Sequence, residues 1–300
     1  MKRPLTFLFY HYGKIPRYLR NAIEHVRIFN PNAEIMLITD GIGDVPMLAP
    51  FGICHHEMAD FPSDELKMFR CTYRHISCFK ERYERFVLER WFVTETIRRQ
   101  RPERIYIMQD SDVAVFGDAL GLLSLLPDCS IALSSNNPHF TYVSGDISGF
   151  LRFILDFYAD EAHVADSLRR HNEGLNSSHM YNMGEMQFLY EFMQASSDMQ
   201  KFSTNTPAGY VDVNLHIPEG FDCMHLRRRP RKKVFWKKEG DRVIPYFRNN
   251  GHLVRVFLVH FQGPGKRVFF RFNTTEPATN PVNLMFLNVI FQNRLLAGLT

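Results

Sequence analysis

The stretch Arg104-Ile105-Tyr106-Ile107-Met108-Gln109-Asp110-Ser111-Asp112 sets a short apolar run against a closely spaced acidic pair. Pro102 ends the helical pattern before it, and Arg104–Met108 reads as a short buried strand. Asp110 and Asp112 then fall at the strand's carboxyl end, where open α/β sheets gather their ligands. Two residues apart on a regular strand, both carboxylates point to one side. There they can share a divalent cation, which in turn can neutralise a diphosphate. The competing reading is a solvated turn, since Asp and Ser favour turns.

Upstream, the spacing predicts a helix over Tyr83–Gln100, with Phe86, Val87, Trp91, Val93, Thr94 and Ile97 near helical periodicity. Leu5–Tyr10 reads as a first strand. Pro16 opens a helix to Phe29, with Leu19, Ile23, Val26 and Ile28 as its apolar face, and Asn30-Pro31 stops it. Glu34–Thr39 reads as a second strand ending at Asp40-Gly41. This alternation predicts βαβ units and a mostly parallel sheet of the α/β class. Downstream the pattern is less regular: a strand at Ile131–Ser134, helices at Phe150–Ala159 and Glu185–Gln194, and a hairpin of Val234–Lys237 and Arg242–Tyr246 around Glu239-Gly240-Asp241. Leu253–His260 reads as a β-branched strand, and Val282–Leu299 as an amphipathic helix. No stretch resembles a linker, so one domain is expected over residues 1–300.

Bulk properties narrow the function. With 300 residues, 45% of them hydrophobic and 27 of them Phe, the chain can bury a large core and is not a disordered protein. A net charge of +4 does not mark a nucleic-acid binder. The charge is uneven, because Arg227, Arg228, Arg229, Arg231, Lys232 and Lys233 lie together; such a run reads first as a solvated face. Cys54, Cys71, Cys78, Cys129 and Cys223 lack CxxC spacing, which argues for a reducing compartment and against a thiolate zinc site. No signal peptide or stretch of membrane-spanning length is evident, and Asn-x-Ser/Thr matches at Asn176 and Asn273 mean little without a secretory route. A cytoplasmic protein is expected. The basic run or the C-terminal helix could give it peripheral contact with the inner membrane face. His55-His56-Glu57 lacks a further ligand at fitting spacing.

A second motif stands far downstream: His260-Phe261-Gln262-Gly263-Pro264-Gly265-Lys266. An imidazole leaving a strand can complete a metal's coordination. The glycines let the backbone approach a phosphate, and the Lys ammonium can meet its charge.

With both motifs in view, the sequence resembles the GT-A fold of nucleotide-sugar glycosyltransferases, a Rossmann-like three-layer α/β/α sandwich. Those enzymes bind a metal ion through Asp-x-Asp after an apolar strand. Several retaining families within the fold (the family-8-like ones) also carry a late His-x-x-Gly-x-x-Lys, matched here by His260, Gly263 and Lys266. The resemblance implies a manganese or magnesium ion on Asp110, Asp112 and His260, and a nucleotide-sugar donor, expected to be UDP-linked, whose diphosphate meets Lys266. It implies a nucleotide-binding half at 1–135, an acceptor and sugar half at 136–275 and a C-terminal helix at 276–300. By the same resemblance, Tyr10, His11, Tyr12 and Asp40 lie near base and ribose, and the segment Gly145–Gly149 approaches the donor sugar. Arg90, Ser111 and Gly263 join the donor site. Glu185 stands near the acceptor, a glycan or glycolipid hydroxyl, as base or positioning group; its place at a helix N-terminus also suits the dipole alone.

Two rivals come from other classes. Haloacid dehalogenase-like phosphatases also place Asp-x-Asp after an apolar strand, but here Val113-Ala114 follow, and that reading gives His260 no role. A nucleic-acid-binding module would use the Arg227–Lys233 run with Phe235 and Trp236 beside it, against a low overall charge.

Overall fold

The computed structural model describes residues 3–41, 46–134, 137–174, 181–226, 229–240, 242–263 and 266–269. The expected helix at Val282–Leu299, both Asn-x-Ser/Thr sites, Arg227, Arg228 and Gly265 lie outside them.

The first apolar run forms β1 (Leu5–His11), and Pro16 precedes α1 (Arg17–Phe29), whose Leu19, Ile23 and Val26 turn inward. Strands β2 (Glu34–Thr39) and β3 (Cys54–Glu57) follow. Helix α2 (Asp64–Thr72) is capped by the Ser63 hydroxyl, which accepts the Leu66 N–H at 3.1 Å. The long α3 (Glu81–Gln100) leads into β4 (Ile105–Gln109), one residue later than its sequence pattern suggested, and then β5 (Val113–Val115). Next come β6 (Ile131–Leu133), β7 (Phe140–Val143), α4 (Ser148–Ala159), α5 (Glu161–Gly174), α6 (Glu185–Ala195) and β8 (Met199–Lys201). The remainder is mostly strand: β9 (Asn205–Thr206), β10 (Gly209–Val211), β11 (Cys223–Leu226), β12 (Arg229–Lys232), β13 (Phe235–Glu239), β14 (Arg242–Asn249) and β15 (His252–His260), before the single turn α7 (Lys266–Phe269).

A seven-stranded sheet runs in the order β3-β2-β1-β4-β7-β6-β8, with β7 antiparallel to both its neighbours and the other pairs parallel. Its central strands are buried on both faces, and period-two alternation divides them between two cores. Leu5, Phe7 and Phe9 join Ile35, Leu37, Ile105 and Ile107 against α1 and the second sheet. Leu8 and Tyr10 join Met36, Ile38, Tyr106 and Met108 against α2, α3, α4 and α6. Both faces of the sheet are therefore covered, as the sequence indicated.

The second sheet has the order β13-β14-β15-β10-β9. Asn250 and Gly251 both hold positive φ (48° and 83°), the signature of a tight turn whose twist matches a hairpin, and they fold β14 onto β15. Short β5 leaves the end of β4 and pairs antiparallel with β15, setting Val113 opposite His260 and Val115 opposite Leu258. This pairing joins the two sheets and brings the two sequence motifs together.

The basic run is not a solvated face along its length. Lys232 is only 1% exposed and forms an ion pair with Asp212 at 2.6 Å. All five cysteines are free, and among the described residues no helix is long and apolar enough to cross a membrane.

His25, on α1, is buried against Phe116 with its Nδ1 3.3 Å from the Val115 carbonyl, and burial pushes its pKa down to about 3. Its imidazole stays neutral in the fold, whereas the unfolded chain takes up the proton below about pH 6.5. Stability from this group is therefore lost as pH falls from about 6.5 towards 3, at up to about 1.4 kcal/mol per unit. Thermal melts of His25→Gln between pH 7 and 5 are expected to show a shallower fall in Tm than wild type; an equal slope would contradict this.

Candidate active site

The acidic pair does not sit on a regular strand. β4 ends at Gln109, and the Val113 N–H returns to the Asp110 carbonyl at 3.2 Å, closing a turn that carries Asp110, Ser111 and Asp112. The turn is tied down on both sides: the Asp110 N–H donates to the His139 carbonyl, and the Phe261 N–H donates to the Asp112 carbonyl, each at 2.9 Å. Strand alternation therefore does not aim the two carboxylates. The turn and the β5–β15 pairing do.

One carboxylate oxygen each from Asp110 and Asp112 and one imidazole nitrogen of His260 lie within 4.8 Å of one another. Two hard oxygens and an imidazole nitrogen suit a divalent ion such as manganese or magnesium. Among the described residues this is the only group of at least three His, Cys, Asp or Glu side chains so arranged. The His55-His56 pair does not join one; His55 meets the Thr39 hydroxyl at 3.0 Å.

His260 Nδ1 donates to the Val213 carbonyl at 2.7 Å, which leaves Nε2 facing Asp112 Oδ1 at 3.6 Å. Lys266 Nζ reaches Asp112 Oδ2 at 3.0 Å. Burial alone would push the Asp112 carboxyl up, but His260 and Lys266 hold it well below the usual carboxylate range. Burial likewise disfavours the cationic forms of His260 and Lys266, and the acidic pair outweighs it, raising both. The site thus concentrates negative charge and surrounds it with cations.

Arg90 supplies a third cation. Its Nη1 donates to Asp110 at 3.0 Å, while Nε and Nη2 grip both oxygens of Glu185 at 2.7 Å each. The Trp91 indole N–H also donates to Glu185, at 2.6 Å. Burial pushes the Glu185 carboxyl up to about 7 against the pull of Arg90. Glu185 does begin α6, as the sequence indicated, but its N–H is received by the Glu84 carboxylate at 3.0 Å. That contact requires glycine at 184, where a Cβ would lie 2.5 Å from the Glu84 oxygen. Glu185 anchors Arg90, and Arg90 holds Asp110.

These groups line a cleft of about 480 Å³ at the carboxyl ends of β1 and β4. Of the residues expected at the donor, Tyr10, His11, Tyr12, Arg90, Ser111 and Lys266 line it. Tyr10 is anchored through Thr94 at 2.8 Å, and Tyr12 packs on Phe86 with Arg82 over its ring. Asp40 and Gly263 do not line the cleft. Asp40 instead accepts the Gly13 N–H at 3.0 Å and fixes the loop after β1, and Gly263 holds a φ of 61° just beyond β15. The Gly145–Gly149 segment is misplaced in the sequence reading. Because β7 runs antiparallel, it leaves the sheet at the amino end of β4, opposite the cleft, where Arg3 binds the Ser144 carbonyl at 2.9 Å and Arg98 faces Asp146 at 3.6 Å. Sequence reading also missed Asn182, Phe79, Tyr83 and Met186 on the cleft's other flank. Asn182 is held by the Cys78 N–H at 2.9 Å, and no motif in the sequence marks it.

No family model matches the sequence, and neither does any curated protein. Among solved structures, the chain is similar to mouse xyloside xylosyltransferase 1 in its apo form, at 8% identity over 66% of this chain and 84% of that one, with a TM-score of 0.42. It is also similar to a glycosyltransferase involved in glycosylation of the major capsid of PBCV-1 (13% identity, 68% and 83% covered, TM-score 0.37). A third likeness is to the galactosyltransferase LgtC in complex with donor and acceptor sugar analogs (11% identity, 65% and 72% covered, TM-score 0.32).

Proposed function

We propose that the protein is a metal-dependent glycosyltransferase that moves a sugar from a nucleoside diphosphate donor, UDP-linked, to a hydroxyl of a glycan or glycolipid. The observation that carries this reading is the meeting of Asp110, Asp112 and His260 within 4.8 Å, with Lys266 3.0 Å from Asp112, at the carboxyl ends of the parallel strands β1 and β4. A divalent ion bound there would neutralise the donor's diphosphate and stabilise its departure. Lys266 adds positive charge beside the departing group. Arg90 keeps Asp110 oriented, and Tyr10, His11 and Tyr12 form the wall that receives the nucleoside.

In the transfer, the bond from the sugar's anomeric carbon to the diphosphate oxygen breaks, and a bond from that carbon to the acceptor oxygen forms. The acceptor's proton needs a destination. Among the described residues lining the cleft, every carboxylate is engaged: Glu84 by Ser77 and the Glu185 N–H, Asp110 by Arg90, Asp112 by Lys266, and Glu185 by Arg90 and Trp91. With no carboxylate left as base, the departing diphosphate oxygen takes the proton on the acceptor's own face. This favours retention of anomeric configuration. The phosphatase reading finds no support in a site where His260 closes on the acidic pair. The nucleic-acid reading loses its buried Lys232.

Phe79, Tyr83 and Met186 are 59%, 44% and 48% exposed at the cleft's mouth, an apolar flank beside a polar floor. Such a flank suits the C–H face of an acceptor sugar ring. Tyr83→Ala is expected to raise the acceptor KM by about 2–10-fold, the worth of one ring contact, with kcat little changed; an unaltered KM would remove Tyr83 from acceptor binding.

The reading is tested by adding manganese or magnesium and a panel of UDP-, GDP- and CDP-sugars, scoring thermal stabilisation and donor hydrolysis. Stabilisation and slow hydrolysis that both require the ion are expected with a UDP-sugar. If no nucleotide-sugar binds with or without metal, the reading fails.

A further inference from the structure

Lys232 lies inside a run of basic residues, yet its side chain is fully buried. Its ammonium has three N–H donors and meets three acceptors: Asp212 Oδ1 at 2.6 Å, the Asn214 carbonyl at 3.2 Å, and the Glu219 carboxylate. The rings of Tyr210, Phe221 and Phe247 surround it at 5.4–5.7 Å. Glu219 holds a φ of 48°, in the left-handed region that a Cβ disfavours, while its carboxylate takes both Lys232 and the Tyr210 hydroxyl. Apolar side chains of similar volume often replace such a buried ion pair without loss of stability, so stability alone does not account for it.

The segment that Lys232 grips is the one that grips His260. Asp212 Oδ2 accepts the His260 backbone N–H at 3.1 Å, and the Val213 carbonyl accepts its ring Nδ1–H at 2.7 Å. The Leu215 N–H donates to the His260 carbonyl at 3.3 Å, and the Lys232 N–H donates to the Leu215 carbonyl at 2.9 Å. Residues 212–215 are thus held between Lys232 on one side and His260 on the other.

We propose that Lys232 is a positioning residue for the ion site, fixing segment 212–215 and through it the ring orientation and tautomer of His260. The proposal rests on the reading that Asp110, Asp112 and His260 hold a cation. Holding the proton on Nδ1 commits Nε2 to the acidic pair, and partners of a ligating His of this kind typically govern metal affinity. The basic run therefore contributes one member to the site from behind.

The test uses the full chain without donor or acceptor. Lys232→Met leaves the buried Asp212 carboxylate without its cation and is prone to misfolding, so Lys232→Met/Asp212→Asn, which removes the buried pair and leaves only the partly exposed Glu219, is measured beside it and beside Asp212→Asn alone. Mn2+ affinity by calorimetry is expected to fall about 10–100-fold in the folded double variant. Ile154→Val, a core change on α4 in the separate hydrophobic cluster, is expected to keep wild-type affinity. Nitrogen-15 spectra of metal-free wild type, taken at a pH high enough that the His260 ring is neutral, are expected to show a protonated, slowly exchanging Nδ1, a signal lost in the double variant. A folded double variant that binds Mn2+ within about twofold of wild type overturns the proposal. So does a wild-type His260 without a proton on Nδ1, a result that needs no variant. Failure of wild type to bind Mn2+ would instead sink the ion site, and the ring-proton signal would still decide the positioning.

Discussion

Asp112→Asn is expected to abolish ion-dependent donor binding and to cut transfer on the order of a thousand-fold, the several kcal/mol that a bound ion contributes to a departing diphosphate. Asp112 is the carboxylate that both His260 and Lys266 face, at 3.6 and 3.0 Å, so its neutralisation touches every cation at that end of the cleft. Without it, burial regains control of His260 and pushes its pKa back down, since Asp112 supplies the largest opposing pull. Asn keeps the shape of the turn, and the bond from the Phe261 N–H to the residue-112 carbonyl is a backbone bond that the substitution leaves in place. Circular dichroism should therefore stay that of wild type while Mn2+ binding is lost. Unchanged metal-dependent nucleotide binding would remove Asp112 from its proposed role.

Arg90→Met is expected to produce the largest loss of stability, about 3–5 kcal/mol, because it leaves the buried Glu185 carboxylate without its partner. Both side chains are under a tenth exposed, so water cannot replace the lost contacts. Glu185→Gln keeps the Trp91 bond and one contact to Arg90, and is expected to cost about 1–2 kcal/mol. The pair of variants separates two roles for Glu185. As the anchor of Arg90, it tolerates Gln with transfer reduced by less than about tenfold, since only the alignment of Asp110 is weakened. If Glu185→Gln instead loses about a thousand-fold in kcat at unchanged stability, Glu185 is a base and the retaining outcome fails.

How much of this was legible follows from where each signal resides. The strands β1, β2 and β4 are buried on both faces, so each is a continuous apolar run that stands out against polar flanks. Amphipathic α1 and the long α3 declare themselves by periodicity. β5 does not: Val113–Val115 is three residues long and becomes a strand only by pairing with β15. Because β5 was hidden, strand alternation was expected to aim the acidic pair at the end of β4, where a turn aims it instead. Antiparallel β7 was hidden as well; it carries residues 145–149, which the resemblance sets near the donor sugar, to the far end of the sheet. The Asn250-Gly251 turn, by contrast, is a plain local hairpin signal in the sequence. At the site, His260 and Lys266 were legible as a motif, whereas the Arg90–Glu185 clamp joins residues 95 positions apart and leaves no local trace. Lys232 was concealed by its neighbours, since its partners Asp212 and Glu219 come from an earlier loop and nothing local separates a buried Lys from exposed ones.

The claim that His260 and a donor's diphosphate share one ion with the acidic pair is tested most directly by pulsed electron paramagnetic resonance. The sample is protein labelled with nitrogen-15 in histidine, loaded with Mn2+ and the nucleoside diphosphate selected by the donor panel. Coupling of the same Mn2+ to an imidazole nitrogen and to phosphorus is expected, with the nitrogen coupling alone lost in His260→Ala. Phosphorus coupling without any histidine nitrogen in wild type would contradict the account, because the nucleotide would then carry its ion past His260.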